Sequence, residues 1–116
     1  MNPAPFKVHS ARDSGVFVIN VEGELDMNTA SQLERELREP LANPNSGLVI
    51  DLSSCEFIDS TGIALIVRAW QGLEGEDRFA LCGVGDQVKR VLDITGLESV
   101  IPIHANREEA LSRSRD

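Results

Sequence analysis

The residues best placed for chemistry lie in one stretch, Gly47 to Trp70, GLVIDLSSCEFIDSTGIALIVRAW. It reads as a buried strand, a tight loop and an apolar helix, with Asp59-Ser60-Thr61-Gly62 delivered to the helix N-terminus. Hydrolysis by Ser60 would need a base and a stabiliser. Asp26 and Asp59 are candidate neighbours, but the loop holds no histidine to take the proton. No Gly-x-Ser-x-Gly elbow occurs, and Gly83-Val84-Gly85 lacks the Lys-Ser/Thr of a phosphate loop. These absences argue against an enzyme. A switch asks less, namely a serine hydroxyl exposed where a kinase can reach it. Phosphorylation there adds a charge of about −1.5 to −2 at pH 7. The helix dipole and free N–H groups of the first turn would favour that phosphate by ~0.3–1 kcal/mol. The fold should therefore survive modification, while a partner packed on the loop would meet new bulk and an unpaired anion. The same four residue types also suit a plain helix cap, since Asp59 and Ser60 are both favoured there. The local pattern leaves the two readings open.

The positioning elements follow from periodicity. Residues 6 to 22 look like a hairpin. Phe6 to His9 is its edge strand, Asp13-Ser14-Gly15 its turn, and Val16 to Val21 its strong strand. Ala30, Leu33, Leu37 and Leu41 predict a helix capped by Asp26 or Asn28, with Pro40 ending or kinking it. Leu48-Val49-Ile50 suits a strand covered on both faces; after Leu52 the chain turns polar until Phe57 and Ile58 re-enter the core. In the next helix Ile63, Ile66, Val67, Trp70 and Leu73 share one stripe. Ala64, Leu65, Arg68 and Gln71 take the other side. Leu65 is thus expected to face solvent beside Arg68, a candidate docking patch. Gly62 lets another chain approach the first turn closely. Gly72 to Asp77 reads as a loop and Arg78 to Cys82 as a strand. Val84, Val88, Val91 and Leu92 mark a third helix, closed by Gly96 with Leu97 folding back. Val100 to Ile103 is expected as a last edge strand, and Asn106 with Glu109 caps a final helix from Arg107 to about Ser112.

The expected fold is α/β, one domain over residues 1–116 with its core at about 6–112. It has a mixed sheet of four or five strands and about four helices. Right-handed crossovers make the later strands parallel. Sites in such sheets lie beyond the strand carboxyl ends, where Asp26 and Asp59-Ser60 both fall. The chain has 116 residues, 41% apolar and 26% charged, enough for a core without staples. A net charge of −8 argues against nucleic acid and anionic membrane as partners. It leaves a partner with a basic face open. MNPAPFKVHS lacks a leader pattern, and no apolar run approaches the ~18 residues of a membrane span. Cys55 and Cys82 read as reduced core or loop residues of a cytoplasmic protein. No spacing suggests a metal site, no cofactor is expected, and His9 reads as an ordinary edge-strand side chain.

Four blocks, in order, carry a family likeness. They are Gly23-Glu24-Leu25-Asp26 followed by Ala30; Leu48-Val49-Ile50-Asp51-Leu52-Ser53; Phe57-Ile58-Asp59-Ser60-Thr61-Gly62; and Val88 to Leu97 (VKRVLDITGL). Together they resemble a STAS domain, specifically the bacterial anti-sigma factor antagonists. The resemblance implies a partner switch. Unphosphorylated antagonist binds an anti-sigma factor that is also a Ser/Thr kinase, so sigma factor is released for transcription. Phosphorylation by that kinase ends the binding, and a metal-dependent phosphatase resets it. ATP and magnesium would belong to the kinase. Ser60 matches the phosphorylated serine, with Thr61 the rival acceptor. Asp26 and Asp59 match acidic positions beside it that contribute to kinase recognition. Thr61, Gly62, Leu65 and Arg68 complete the expected partner surface. The alternative is a non-switching STAS subunit of a lipid or anion transport complex or a stress-sensing assembly. An exposed edge strand permits a monomer or weak dimer.

Overall fold

The computed structural model describes residues 5–73 and 78–114. Five strands form one mixed sheet in the order β1-β2-β3-β4-β5: β1 (Lys7–Asp13), β2 (Val16–Leu25), β3 (Leu48–Ile58), β4 (Phe79–Cys82) and β5 (Ile103–His104). Only β1 runs antiparallel to its neighbour. The helices are α1 (Ala30–Ala42), α2 (Ser60–Gly72), α3 (Asp86–Thr95) and α4 (Arg107–Ser114). The mixed α/β architecture is the expected one. Most of the expected loop after α2 lies outside the described residues.

The strands are longer than their apolar runs. β1 extends to Asp13 because the hairpin turns on two residues, Ser14 and Gly15, both with positive φ (55° and 84°). That is the turn whose twist matches paired strands, so Asp13 pairs with Val16 directly. β3 continues through the polar segment that was expected to be a loop. From Ser54 to Ile58 it pairs with Glu22 to Leu25 of β2 across register shifts. β4 covers only Leu48 to Asp51. Ser53, Ser54, Glu56 and Phe57 are consequently exposed, which is why their sequence looks unlike a strand. At the far edge the chain from Leu97 to Ser99 is a 3-10 turn, and Ile101 N–H donates to Leu97 O. The last strand is therefore two residues long and starts at Ile103, not at Val100.

Strand alternation divides the core. Phe17, Ile19, Val21, Leu48, Ile50, Leu52, Phe79 and Leu81 face α1, α2 and α3 through Leu33, Leu37, Ile66, Val88 and Leu92. Val16, Val18, Val49, Ala80 and Cys82 face the opposite way, onto Ala110 and Leu111 of α4. Asp51 joins this second layer. Its Oδ2 accepts from Arg107 Nε and Nη2 at 3.2 and 3.1 Å. Its Oδ1 accepts from the Ser53 hydroxyl at 2.5 Å and the Ser53 amide at 3.0 Å. Burial pulls the Asp51 carboxyl up, but the Ser53 bonds and the Arg107 guanidinium outweigh it and hold the group below the usual carboxylate range. Burial, with the Asp51 charge beside it, pushes the Cys82 thiol up to about 12. Cys55 is also buried and free, and burial raises its thiol too.

Two helix ends follow the expected chemistry. Gly96 adopts φ 78° at the end of α3, with Leu97 packed on the core. Asn106 Oδ1 accepts from Glu109 N–H at 2.8 Å. Pro40 neither ends nor breaks α1; it lies inside the last turn, buried against the core, and the helix runs to Ala42.

Candidate functional site

The carboxyl ends of β2 and β3 lie side by side, because Leu25 pairs with Ile58. The loops that follow start α1 and α2, so Asp26, Asp59, Ser60 and Thr61 come to one end of the sheet. Asp59 is the N-cap of α2. Its Oδ1 accepts from Thr61 N–H at 2.9 Å and Gly62 N–H at 3.1 Å. Its Oδ2 accepts from Met27 N–H at 3.2 Å, tying the two loops together. Asp26 Oδ1 accepts from Asn28 and Thr29 N–H at 2.9 and 3.2 Å. The N-cap position of α1 is Thr29, not Asp26 or Asn28. Asp26 shapes the turn before it, and its carbonyl accepts the Ala30 N–H.

Ser60 is the first residue of α2 and is exposed. No hydrogen bond to a described residue uses its hydroxyl. Thr61 beside it is exposed as well. One expectation is revised here. Thr61 and Gly62 N–H are not free for a phosphate, because Asp59 already occupies them. A phosphate on Ser60 keeps the helix dipole, but it reaches the Thr61 and Gly62 amides only by displacing the Asp59 carboxylate. Neither histidine approaches the loop. His9 lies on β1 against Glu22, and His104 lies on β5 against Glu109, at opposite sheet edges. The loop therefore displays a hydroxyl without a histidine base.

Two other expected partner residues, Gly62 and Leu65, are placed differently, while Arg68 is exposed as expected. Gly62 is buried, and a Cβ there would lie 2.8 Å from Ile58 Cγ1 and 2.8 Å from Leu25 Cγ. The close approach is thus made by this chain's own core. Leu65 is 3% exposed, not solvent-facing. The buried face of α2 comprises Gly62, Ile63, Leu65, Ile66 and Ala69. It is wider than one stripe because α1 flanks α2 while the sheet lies beneath. The packing shows at Gly72, where a Cβ would meet Leu41 Cδ2 at 2.8 Å. Arg68 is exposed but sits two turns along, roughly 12 Å of helix rise from Ser60. It pairs with Glu34 of α1 at 3.4 Å.

The structure adds residues that periodicity did not single out. Met27, beside Asp26, is 75% exposed, and Phe57, expected to re-enter the core with Ile58, is instead 38% exposed on the part of β3 that β4 does not cover. Gln87, in the first turn of α3, accepts from Ile58 N–H at 3.0 Å and donates to Ile58 O at 3.3 Å. An exposed methionine in a turn gives some signal in the sequence. A lone glutamine on a helix gives none.

Comparison with known proteins agrees with this geometry. The family model described as the STAS domain matches residues 7–110. The chain is 29% identical over 113 residues to the anti-sigma-F factor antagonist RsfB of Mycobacterium tuberculosis, covering 97% of this chain and 93% of that one. It is 29% identical over 100 residues to an anti-sigma F factor antagonist of Paenibacillus polymyxa, covering 84% and 86%. Among solved structures, an anti-sigma factor antagonist from Mycobacterium paratuberculosis superposes with a TM-score of 0.89 at 32% identity, covering 97% and 96%.

Proposed function

Because the chain belongs to the STAS domain family, we propose that it is an anti-sigma factor antagonist whose binding is controlled by phosphorylation of Ser60. The observation that carries this reading is the exposed Ser60 hydroxyl. It stands at the first position of α2, on a junction whose Thr61 and Gly62 amides are already paired through Asp59. Relatives bearing the antagonist name are regulatory binding proteins rather than enzymes. The partner in this reading is an anti-sigma factor with Ser/Thr kinase activity, met in the cytoplasm. A metal-dependent phosphatase removes the phosphate. Asp26 and Asp59 present an acidic rim to the kinase, Thr61 is the rival acceptor, and Met27 and Phe57 add apolar contact. Neither Leu65 nor Gly62 is available as direct contact surface.

The unmodified loop fits the partner, and a phosphate beside Asp59 adds like charge to an interface where the Thr61 and Gly62 amides are already taken. Binding, not folding, then responds to the kinase. Intact-mass analysis with the candidate kinase and ATP should show one added phosphate, mapped by fragmentation to Ser60 and absent in Ser60→Ala. Ser60→Ala should fold normally and stay bound when ATP is supplied. Ser60→Asp should weaken binding by about tenfold or more, equivalent to about 1.4 kcal/mol, at an unchanged melting temperature. A kinase that binds the chain and phosphorylates other substrates, yet leaves this one unmodified, would overturn the switch and leave a STAS scaffold.

A further inference from the structure

Beyond β4, the outer side of β3 has no strand to pair with. β4 reaches only Asp51, yet β3 runs seven residues further, to Ile58. Successive peptide groups of a strand point to alternate sides. Asp59 N–H donates to Leu25 O on the β2 side at 3.2 Å. The N–H and C=O of Ile58 therefore face the side where a longer β4 would lie. Ile58 is 1% exposed, so water is a poor substitute there, and an unpaired buried peptide group is costly. Gln87 fills the place. Its carboxamide, the side-chain equivalent of a peptide group, accepts from Ile58 N–H and donates to Ile58 O. The helix α3 thus supplies a one-residue replacement for the missing strand, at the residue before the Asp59 cap.

We propose that Gln87 is a positioning residue for Ser60, holding the β3–α2 junction from α3 while Leu25 holds it from β2. The proposal rests on the phosphorylation reading for its consequence and on the Gln87–Ile58 bonds for its geometry. The chain from Ile58 to Ser60 is only two residues long, and the Asp59 carboxylate also carries Met27 N–H. Releasing the outer side of Ile58 lets Asp59 shift. The acceptor hydroxyl and the Asp26 turn then lose their fixed relation. The docking surface is mostly retained, so the loss should fall on alignment of the hydroxyl rather than on encounter.

The test compares wild type, Gln87→Met and Gln87→Glu. Methionine keeps the length and removes both hydrogen bonds. Glutamate at neutral pH can still accept from Ile58 N–H but opposes Ile58 O. Amide hydrogen exchange of Ile58, Thr61 and Gly62, each hydrogen-bonded through Gln87 or Asp59, should quicken by about tenfold in the kinase-free Gln87→Met protein. In Gln87→Glu the Ile58 amide should quicken less than in Gln87→Met. Phosphorylation of Ser60 by the candidate kinase should show kcat lowered by about tenfold with KM within about twofold. Unchanged exchange at Thr61 and Gly62 would overturn the proposal. So would quickened exchange with unchanged kcat, which would make Gln87 a fold clamp only. Should wild type itself accept no phosphate, the function reading falls, and the exchange at Thr61 and Gly62 alone then decides whether Gln87 positions the junction.

Discussion

Replacing Gly62 by alanine should destabilise this protein although it adds a better helix former. A Cβ at this position would stand 2.8 Å from Ile58 Cγ1, 2.8 Å from Leu25 Cγ and 3.0 Å from Leu25 Cδ2. Carbon atoms do not pack that closely, so something must move. Leu25 is 0% and Ile58 1% exposed, so neither side chain has open space to swing into. Ile58 is further held at its backbone by Gln87. Forcing one extra carbon into a packed core costs about 1–3 kcal/mol. Against this, alanine is favoured over glycine in a helix by roughly 0.5–1 kcal/mol, less in a first turn. The net expectation is a loss of about 1–2 kcal/mol, which for a chain of this size lowers the melting temperature by roughly 4–10 °C. Urea titration followed by circular dichroism measures it, with an unchanged m-value showing that the unfolded state is the same. Partner affinity measured on the same variant separates two roles. A glycine kept open for a partner would leave the alanine form as stable as wild type or more so, with binding lost. A midpoint equal to or above wild type would refute the packing reasoning, and the glycine would then be better explained as contact surface.

Two further outcomes follow from burial and charge. Leu65→Glu should cost at least about 3 kcal/mol in the same titration, since it removes a buried side chain and leaves a carboxylate without a partner; a melting temperature within about 2 °C of wild type would place Leu65 on an open face. Asp51 is held below its ordinary range, so its contribution is fully present above the unfolded carboxylate pKa of about 3.9 and is lost as pH falls through its lower folded value. The stability gap between wild type and Asp51→Asn should therefore be full near pH 6 and shrink below about pH 4, and a gap constant down to acid would contradict the linkage.

The elements that were legible are those whose signal is local. Gly96 must take a left-handed φ, and its position after Val91-Leu92 marks the end of α3 without reference to anything distant. Asn106 and Glu109 cap α4 within one turn. The near-continuous apolar run Val16 to Val21 marks β2 as a strand, and both its faces are buried because helices lie on each side. Errors appear where a neighbour supplies what the residues themselves do not. Ser53 to Phe57 is a strand because β2 pairs with it, and no β-rich composition is needed when the partner strand provides the ladder. Leu65 is buried because α1 stands beside α2, a contact between helices that periodicity within α2 does not encode. Val100 and Ile101 are apolar enough for a strand, but the 3-10 turn after Gly96 uses them first.

The residues in order were enough for the βα alternation, the start of α2, the end of α3, the start of α4, the acceptor candidate Ser60 and the family to which the four blocks belong. All of these follow from short-range stereochemistry or from residue order. Tertiary structure alone decided which residues around Ser60 are surface. It turned Gly62 and Leu65 inward, paired Arg68 with Glu34, and occupied the Thr61 and Gly62 amides with Asp59. It also brought Gln87 against Ile58, residues 29 apart in the chain. Exposure and hydrogen-bond satisfaction depend on what packs from the other elements, and no window of sequence around the loop contains those elements.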